Sequence, residues 1–361
     1  MDNCKIDFNK NKVIYQSIDM AKFIFSILVV ALHCGPLNCI SSEANYLFTQ
    51  TITRLAVPFF FVCNGFFAFL PEKYNKKNIF KQCVKLWRMY CVWLIIYLPG
   101  FYVLCSDSKY PIRKAIVLFI FGRGYAHLWY LAAAGFSIGL VYIVKKFFYD
   151  WKIIFLISGV FYVIGLSYDS YYGIFRRMKL WDINIIHHIV GNFLKMINTT
   201  RGGLFFGFLF VVIGAFIAQN KNKLSKNICI IGFAISFFLL IVEVISVYCL
   251  RIQRLLNAVD MYIFLVPVTF FLFEWLINCD ININSINNIR KESMIIYLVH
   301  IWVRTIWLRT VIILNHFFPL KILDNSLVVF LVDVIGSIVV ARIIIHISKM
   351  KYGSKLCKWI L

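Results

Sequence analysis

Apolar residues fall along this chain in long runs, not in alternation. The runs lie near 18–34, 52–70, 86–105, 127–144, 151–167, 201–218, 228–249, 260–277, 293–313 and 326–348. A helix needs about 20 mostly apolar residues to cross a bilayer's hydrocarbon core. The pattern therefore predicts an all-α, polytopic integral membrane protein, with about ten transmembrane helices around a central cavity. A shorter run at 115–122 precedes Gly122 and Gly124. It is too short to span, so it is either a re-entrant piece or an extension of the fourth helix. No internal repeat or low-complexity linker interrupts the series. The expectation is one membrane domain over 1–361 with no appended soluble domain.

Composition agrees. Of 361 residues, 61% are hydrophobic and 15% charged, against roughly half and a quarter in soluble domains. The net charge of +22 would point to nucleic acid in a soluble protein. Here Lys and Arg sit in short loops between apolar runs, where they orient the chain and meet anionic headgroups. The partners expected are membrane lipids, not nucleic acid. With the N-terminus inside, the inner segments carry about twice the Lys and Arg of the outer ones. That excess fits an even number of crossings with both termini cytoplasmic. Met1 to Ser17 is polar and no cleavage site follows, so the first run is expected to stay as an anchor. The 11 cysteines form no CxxC pair and no Cys/His ligand spacing. They read as small hydrophobes, and neither a disulfide framework nor a metal site is expected.

Ionisable groups inside apolar runs mark function by default. Asp19, Lys22, Ser26 and His33 share one face of the first predicted helix, since their spacings of three, four and seven are helical. Lys22 and His33 are 11 residues apart, or ~16 Å along the axis. The second helix opens with Arg54 and carries Pro58, Asn64 and Gly65. Lys85 and Arg88 share a face at the start of the third, above a loop with Lys73, Lys76, Lys77 and Lys81. The fourth opens with His127 and Trp129, and Arg201 opens the sixth. Glu243 lies within the seventh. His300 and Arg304 lie in the ninth.

Five strings in this order, SIDMAKFIFSILVVALH, TRLAVPFFFVCNGFF, HLWYL, TRGGLFFGFLFVVIGAFIA and IYLVH, make the chain resemble the acyltransferase family 3 membrane proteins. These acylate surface polysaccharides and related glycans. The resemblance spans essentially the whole chain. The family has a basic residue followed, eleven positions later, by His in its first helix, matched here by Lys22 and His33. Its usual residue at the first position is Arg, so Lys22 keeps the charge but loses the bidentate fork. Its paired basic residues match Lys85 and Arg88. The resemblance implies a catalytic His33, acyl-CoA in the cytoplasm as donor (acetyl-CoA being commonest), and a hydroxyl of a surface polysaccharide or lipid-linked sugar as acceptor. It also implies the bacterial inner membrane.

The residues are compatible with that chemistry. Lys22, Lys85 and Arg88 would meet the donor's phosphates. The reach from Lys22 to His33 is comparable to an extended pantetheine arm. A neutral imidazole would take the acceptor's proton, and Arg54 or Arg201 would stabilise the oxyanion. An acyl-histidine route stays open beside direct transfer. Ser26, Asn64, His127, Trp129 and His300 are candidates for the acceptor or cavity wall. The blander readings are that His127 belongs to an aromatic belt, His300 to an interhelical hydrogen bond, and Arg54 and Arg201 to headgroup anchoring. Glu243 reads as a partner for Arg304 or a buried protonated acid. His187, His188, His316 and His346 read as loop or interface residues. The rival class is a transporter or channel for a small solute, and some family relatives fused to other domains have been thought to act in transport. Midplane charges on broken helices in two repeated halves would favour it.

Overall fold

The structure is a computed structural model. It describes residues 5–7, 12–106, 108, 110–179, 199–220, 223–255, 259–279, 286–317 and 321–350. His187 and His188 lie outside them. A short antiparallel pair, β1 (Lys5–Asp7) and β2 (Lys12–Ile14), precedes the helices. The other regular elements among the described residues are helices. The helices are α1 (Gln16–Cys34), α2 (Ser42–Gln50), α3 (Ala56–Phe69), α4 (Lys76–Ile96), α5 (Leu98–Ser106), α6 (Pro111–Ile120) and α7 (Trp129–Phe147). They continue with α8 (Trp151–Tyr168), α9 (Tyr172–Arg177), α10 (Phe208–Gln219), α11 (Lys226–Leu250), α12 (Leu265–Ile277), α13 (Ile286–Phe317) and α14 (Ser326–Ser348).

All ten apolar runs are helical, but they are not ten equal spans. Among the described residues, seven helical segments are long and apolar enough to cross a membrane, or eight if one bent pair counts as a single span. The bent pair corrects the predicted third helix over 86–105: α4 and α5 meet at 77°. Pro99 lies at the break, where it has no N–H to donate and its ring obstructs the preceding turn. Gly203–Gln219 and Leu265–Ile277 are shorter apolar helices. The run at 115–122 belongs to a separate helix, α6, and does not extend α7.

Side-chain caps set several helix starts. Ser41, Asn75, Asp150, Ser225 and Asn325 each accept a hydrogen bond from a backbone N–H two or three residues on, satisfying donors that the first helical turn leaves unpaired. The tightest crossing joins α3 and α10. A Cβ on Gly65 would stand 2.2 Å from the Val211 carbonyl oxygen, and one on Gly214 would stand 2.1 Å from that of Val62. Only bare backbone fits there, the small-residue packing by which membrane helices approach closely. Phe59, Phe61, Phe66, Phe208 and Phe210 fill the space around this crossing and are fully or almost fully buried. α1 packs between α13, α14, α3 and α12, so it lies inside the bundle.

Candidate functional site

The polar stripe on α1 has two separate destinations. At the N-terminal end, Asp19 is fully buried and binds Lys22 at 3.3 Å and Arg290 of α13. Lys22 also lies 4.3 Å from the centre of the Phe67 ring, a cation–π contact. Ser26 is buried and donates to the Phe23 carbonyl. These groups tie α1 to its neighbours.

At the C-terminal end, His33 sits in the last turn. The helix ends at Cys34, one residue past His33, because Gly35 takes φ 59° and its N–H bonds the Ala31 carbonyl. That left-handed conformation suits glycine, and a Cβ there would also stand 2.6 Å from the Asn38 amide. The turn holds His33 at the wall of a cavity of about 120 Å³. Arg54, Arg201, Asp260, His127, Trp129 and Tyr130 line the same cavity.

Each lining residue arrives from a different element. Arg54 lies in the 3₁₀ turn Thr53–Leu55 between α2 and α3. Its guanidinium binds Asp260 at 2.7 Å and Gln50 at 3.2 Å. Arg201 precedes a π-helical turn, Gly203–Gly207, at the head of α10; such turns often mark functional positions. Ser137 of α7 donates to the Gly203 carbonyl at 2.8 Å, steadying the turn. Arg201 reaches Asp260 at 3.7 Å and lies 5.2 Å from the centre of the Trp129 ring. Asp260 is thus shared by two guanidiniums. Its loop is clamped in turn, because the N–H groups of Asp260 and Met261 both donate to Asp169 at 2.8 Å. Burial, with the Asp260 carboxylate nearby, holds the Asp169 carboxyl above the usual carboxylate range.

Three imidazoles meet beside the cavity. The His300 ring centre lies 5.2 Å from that of His33 and 4.8 Å from that of His127. His300 Nδ1 contacts the carbonyls of Tyr297 and Ile296, at 2.9 and 3.3 Å, while its buried Nε2 has no hydrogen-bond partner among the described residues. The Tyr297 hydroxyl donates to the His127 carbonyl. Asn64 stands one layer away and donates to the Tyr130 hydroxyl. Among the described residues, no group of three His, Cys, Asp or Glu side chains is placed to hold a metal ion. A second buried acid backs the site: Asp333 of α14 accepts from Cys34 at 3.4 Å and from Ser337 at 3.2 Å.

The structure therefore brings together His33, Arg54, Arg201, His127 and Trp129, with His300 in contact and Asn64 behind Tyr130. Lys22, Ser26, Lys85 and Arg88 do not line this cavity. Lys85 is exposed and Arg88 half-buried on α4. Sequence reasoning missed Asp260, Tyr297 and Asp333. Of the two readings of Glu243, the pairing with Arg304 is corrected and the buried acid remains: Glu243 is buried and, among the described residues, accepts from the Tyr171 hydroxyl and the N–H groups of Ile263 and Phe264. It anchors the start of α12.

Chemically, the cavity offers an imidazole, two arginines biased by one carboxylate, and an aromatic wall. Comparison with known proteins gives the family. The relatives include an amino-acid racemase of Enterococcus faecalis, 31% identical over 73% of this chain and 36% of that protein. A serine/alanine racemase of Enterococcus gallinarum is 27% identical over 91% of this chain and 45% of that protein. The chain spans less than half the length of these relatives. No solved structure matches it. A family model described as an acyltransferase domain matches residues 15–346, from just before α1 into the last turn of α14. This membrane-embedded helical chain belongs to the acyltransferase family 3.

Proposed function

We propose that the chain is an O-acyltransferase moving an acyl group, acetyl in the first instance, from acyl-CoA to a hydroxyl of a cell-surface glycan or its lipid-linked precursor. The observation that carries this reading is the convergence of His33, Arg54 and Arg201 on one cavity with Asp260 between the arginines. His33 takes the proton of the acceptor hydroxyl as its oxygen attacks the thioester carbonyl. The new C–O bond forms, the carbonyl oxygen becomes an oxyanion, and a guanidinium stabilises it. The C–S bond then breaks. The leaving thiolate takes the proton back from His33, giving free coenzyme A and the ester. An acyl-histidine intermediate would divide the same events into two steps.

In this reading about ten helices surround a central path in the bacterial inner membrane, with both termini cytoplasmic. The donor's phosphates approach Lys22, Lys85 and Arg88 at the end of the bundle opposite His33. The test is deletion and complementation with mass analysis of surface glycans. His33→Ala should insert at normal levels and leave the glycan without its acyl mass. Full acylation by a well-expressed His33→Ala protein would refute the assignment.

The relatives named racemases favour a second reading, in which this domain handles a small amino acid and acts in transport. Racemisation itself is referred to proteins more than twice as long as the matched region. Uptake of a labelled amino acid, unchanged by His33→Ala, would support transport over acylation.

A further inference from the structure

His300 stands behind the cavity wall, in contact with the two imidazoles that line it. Its side chain is fully buried. Nδ1 lies 2.9 Å from the Tyr297 carbonyl and 3.3 Å from that of Ile296. A carbonyl oxygen only accepts, so in the neutral ring Nδ1 carries the hydrogen and Nε2 the lone pair. That lone pair has no hydrogen-bond partner among the described residues. A buried acceptor left unpaired is costly, and native proteins rarely keep one without a use.

Two rings are near enough to supply the missing N–H. His127 is the nearer, its ring centre 4.8 Å away, but it is locked. Its ring is wedged edge-on between Tyr97 and Tyr297, at centre separations of 5.3 and 5.1 Å and interplanar angles of 79° and 80°. It closes no bond to His300 from that position. The His33 ring centre is 5.2 Å from that of His300, and the rings are tilted by 39°. Among the described residues His300 is the one ring neighbour of His33, which is only half-buried at the cavity wall. The outer side-chain torsion of a histidine is broad, so this ring can turn. At that separation, facing nitrogens stand about 3 Å apart, a hydrogen-bond length.

We propose that His300 is a positioning residue for His33: its Nε2 accepts an N–H from His33 and so holds the other His33 nitrogen, with its lone pair, toward the acceptor hydroxyl. The role rests on the acyl-transfer reading, but the pairing of the two rings does not. A base oriented by a third group behind it is the general logic of such sites. Here the orienting group is neutral. When His33 takes the hydroxyl's proton it becomes an imidazolium, and its bond to His300 becomes charge-assisted, roughly twice as strong as a neutral one. The contact therefore strengthens as the transition state forms, which raises the rate and not merely the binding. The proton stays on His33 until the leaving thiolate takes it. His300 keeps its Nδ1 hydrogen on the helix carbonyls throughout, so it neither gains nor loses a proton.

Two substitutions separate the acceptor from the packing. His300→Asn keeps an N–H near the Nδ1 position, for the Tyr297 carbonyl, and leaves the Nε2 position empty. His300→Gln brings an amide oxygen near the Nε2 position. The full chain in nanodiscs, with isotope-labelled histidine, is read by NMR, the His33 ring signals being assigned by their loss in His33→Gln. In the wild type the His33 hydrogen should reside on one ring nitrogen. In His300→Asn it should divide between the two, and His300→Gln should restore the single tautomer. Equal tautomer populations in the wild type and His300→Asn would overturn the proposal, as would a change produced by His127→Phe and not by His300→Asn. Transfer is measured with radiolabelled acetyl-CoA in membranes from a deletion strain carrying each variant. The rate at saturating acetyl-CoA should fall at least about tenfold in His300→Asn, the worth of one charge-assisted hydrogen bond. The KM for acetyl-CoA should hold, and His300→Gln should recover most of the rate. A loss shared equally by Asn and Gln, or one confined to KM, would refute the positioning role. If wild-type membranes transfer no label, the acyl-transfer reading fails while the tautomer measurement still decides the pairing.

Discussion

Asp260→Asn tests the centre of the site directly. The Asp260 and Arg54 side chains are only 13% and 11% exposed and pair at 2.7 Å, so the carboxylate neutralises a nearly desolvated guanidinium. Removing one member of a buried pair costs about 3–5 kcal/mol, because the other charge is left behind. Two features reduce that figure. Asn keeps an oxygen that still accepts a neutral hydrogen bond. Arg201, 38% exposed and 3.7 Å away, is screened by solvent and loses little. The expected loss is therefore about 2–3 kcal/mol, read as a lower melting midpoint in detergent. Acyl transfer should fall further than stability alone explains, since both arginines lose the group that aims them at the cavity. A double-mutant cycle with Arg54→Gln isolates the pair. The double variant should be less damaged than the two single losses added, by about 1–3 kcal/mol. Strict additivity, or an Asp260→Asn protein with wild-type melting and transfer, would show that the pair does not organise the site.

Two further outcomes follow from particular contacts. Neutralising Lys85 or Arg88 should weaken donor use through apparent affinity, each lost phosphate contact costing about 1.5–3 kcal/mol, whereas Lys22→Gln should also lower the melting midpoint because it removes a partner of buried Asp19; donor titration and melting in membranes or detergent separate the two effects, and unchanged donor affinity in all three variants would place the phosphates elsewhere. Gly214→Ala should destabilise by about 1–3 kcal/mol, because its Cβ would stand 2.1 Å from a backbone oxygen, while Gly159→Ala in α8, with nothing within 4 Å of its Cβ, should be neutral or slightly stabilising; equal melting of the two variants would refute the tight-crossing account.

Much of this architecture is legible in the sequence because lipid imposes a simple rule. Each apolar run must close its own backbone hydrogen bonds, so each becomes helix. Hydropathy does not report continuity. The 86–105 run averages over Leu98, Pro99 and Gly100, and the break there is set by one missing N–H, which a composition window cannot see. Polar residues on apolar helices that reach the cavity wall or its edge are legible for the same reason: His33 and His300 are conspicuous among Leu, Ile and Val. Asp333 carries the same signal inside an apolar helix and could have been found by it. Asp260 could not, since it stands at the edge of a run, and its importance arises only when folding brings it to Arg54, 206 residues away in sequence. Glu243 is legible only in part. The sequence leaves a cationic partner and a buried acid both open for it; it is a buried acid whose oxygens are taken by Tyr171 and by backbone N–H groups just before α12, and no periodicity reports those partners.

The unequal grip of Asp260 on its two arginines bears on the proposed chemistry. Arg54 is fixed on both sides, by Asp260 at 2.7 Å and Gln50 at 3.2 Å. A guanidinium held that firmly supplies a constant field but has little freedom to follow a reacting atom. Arg201 is held at 3.7 Å, is more exposed and rests against the Trp129 ring. Little is lost when it turns from the carboxylate toward a developing oxyanion, and the ring still supports it after it turns. Stabilisation that strengthens as charge develops accelerates a reaction, while equal stabilisation of ground and transition states does not. The proposed transfer therefore assigns the oxyanion to Arg201 and the standing electrostatic frame to Arg54. The π-helical turn that follows Arg201 fits this division. It places the residue at a helix start whose backbone is already irregular, next to glycines that impose few side-chain constraints on its movement.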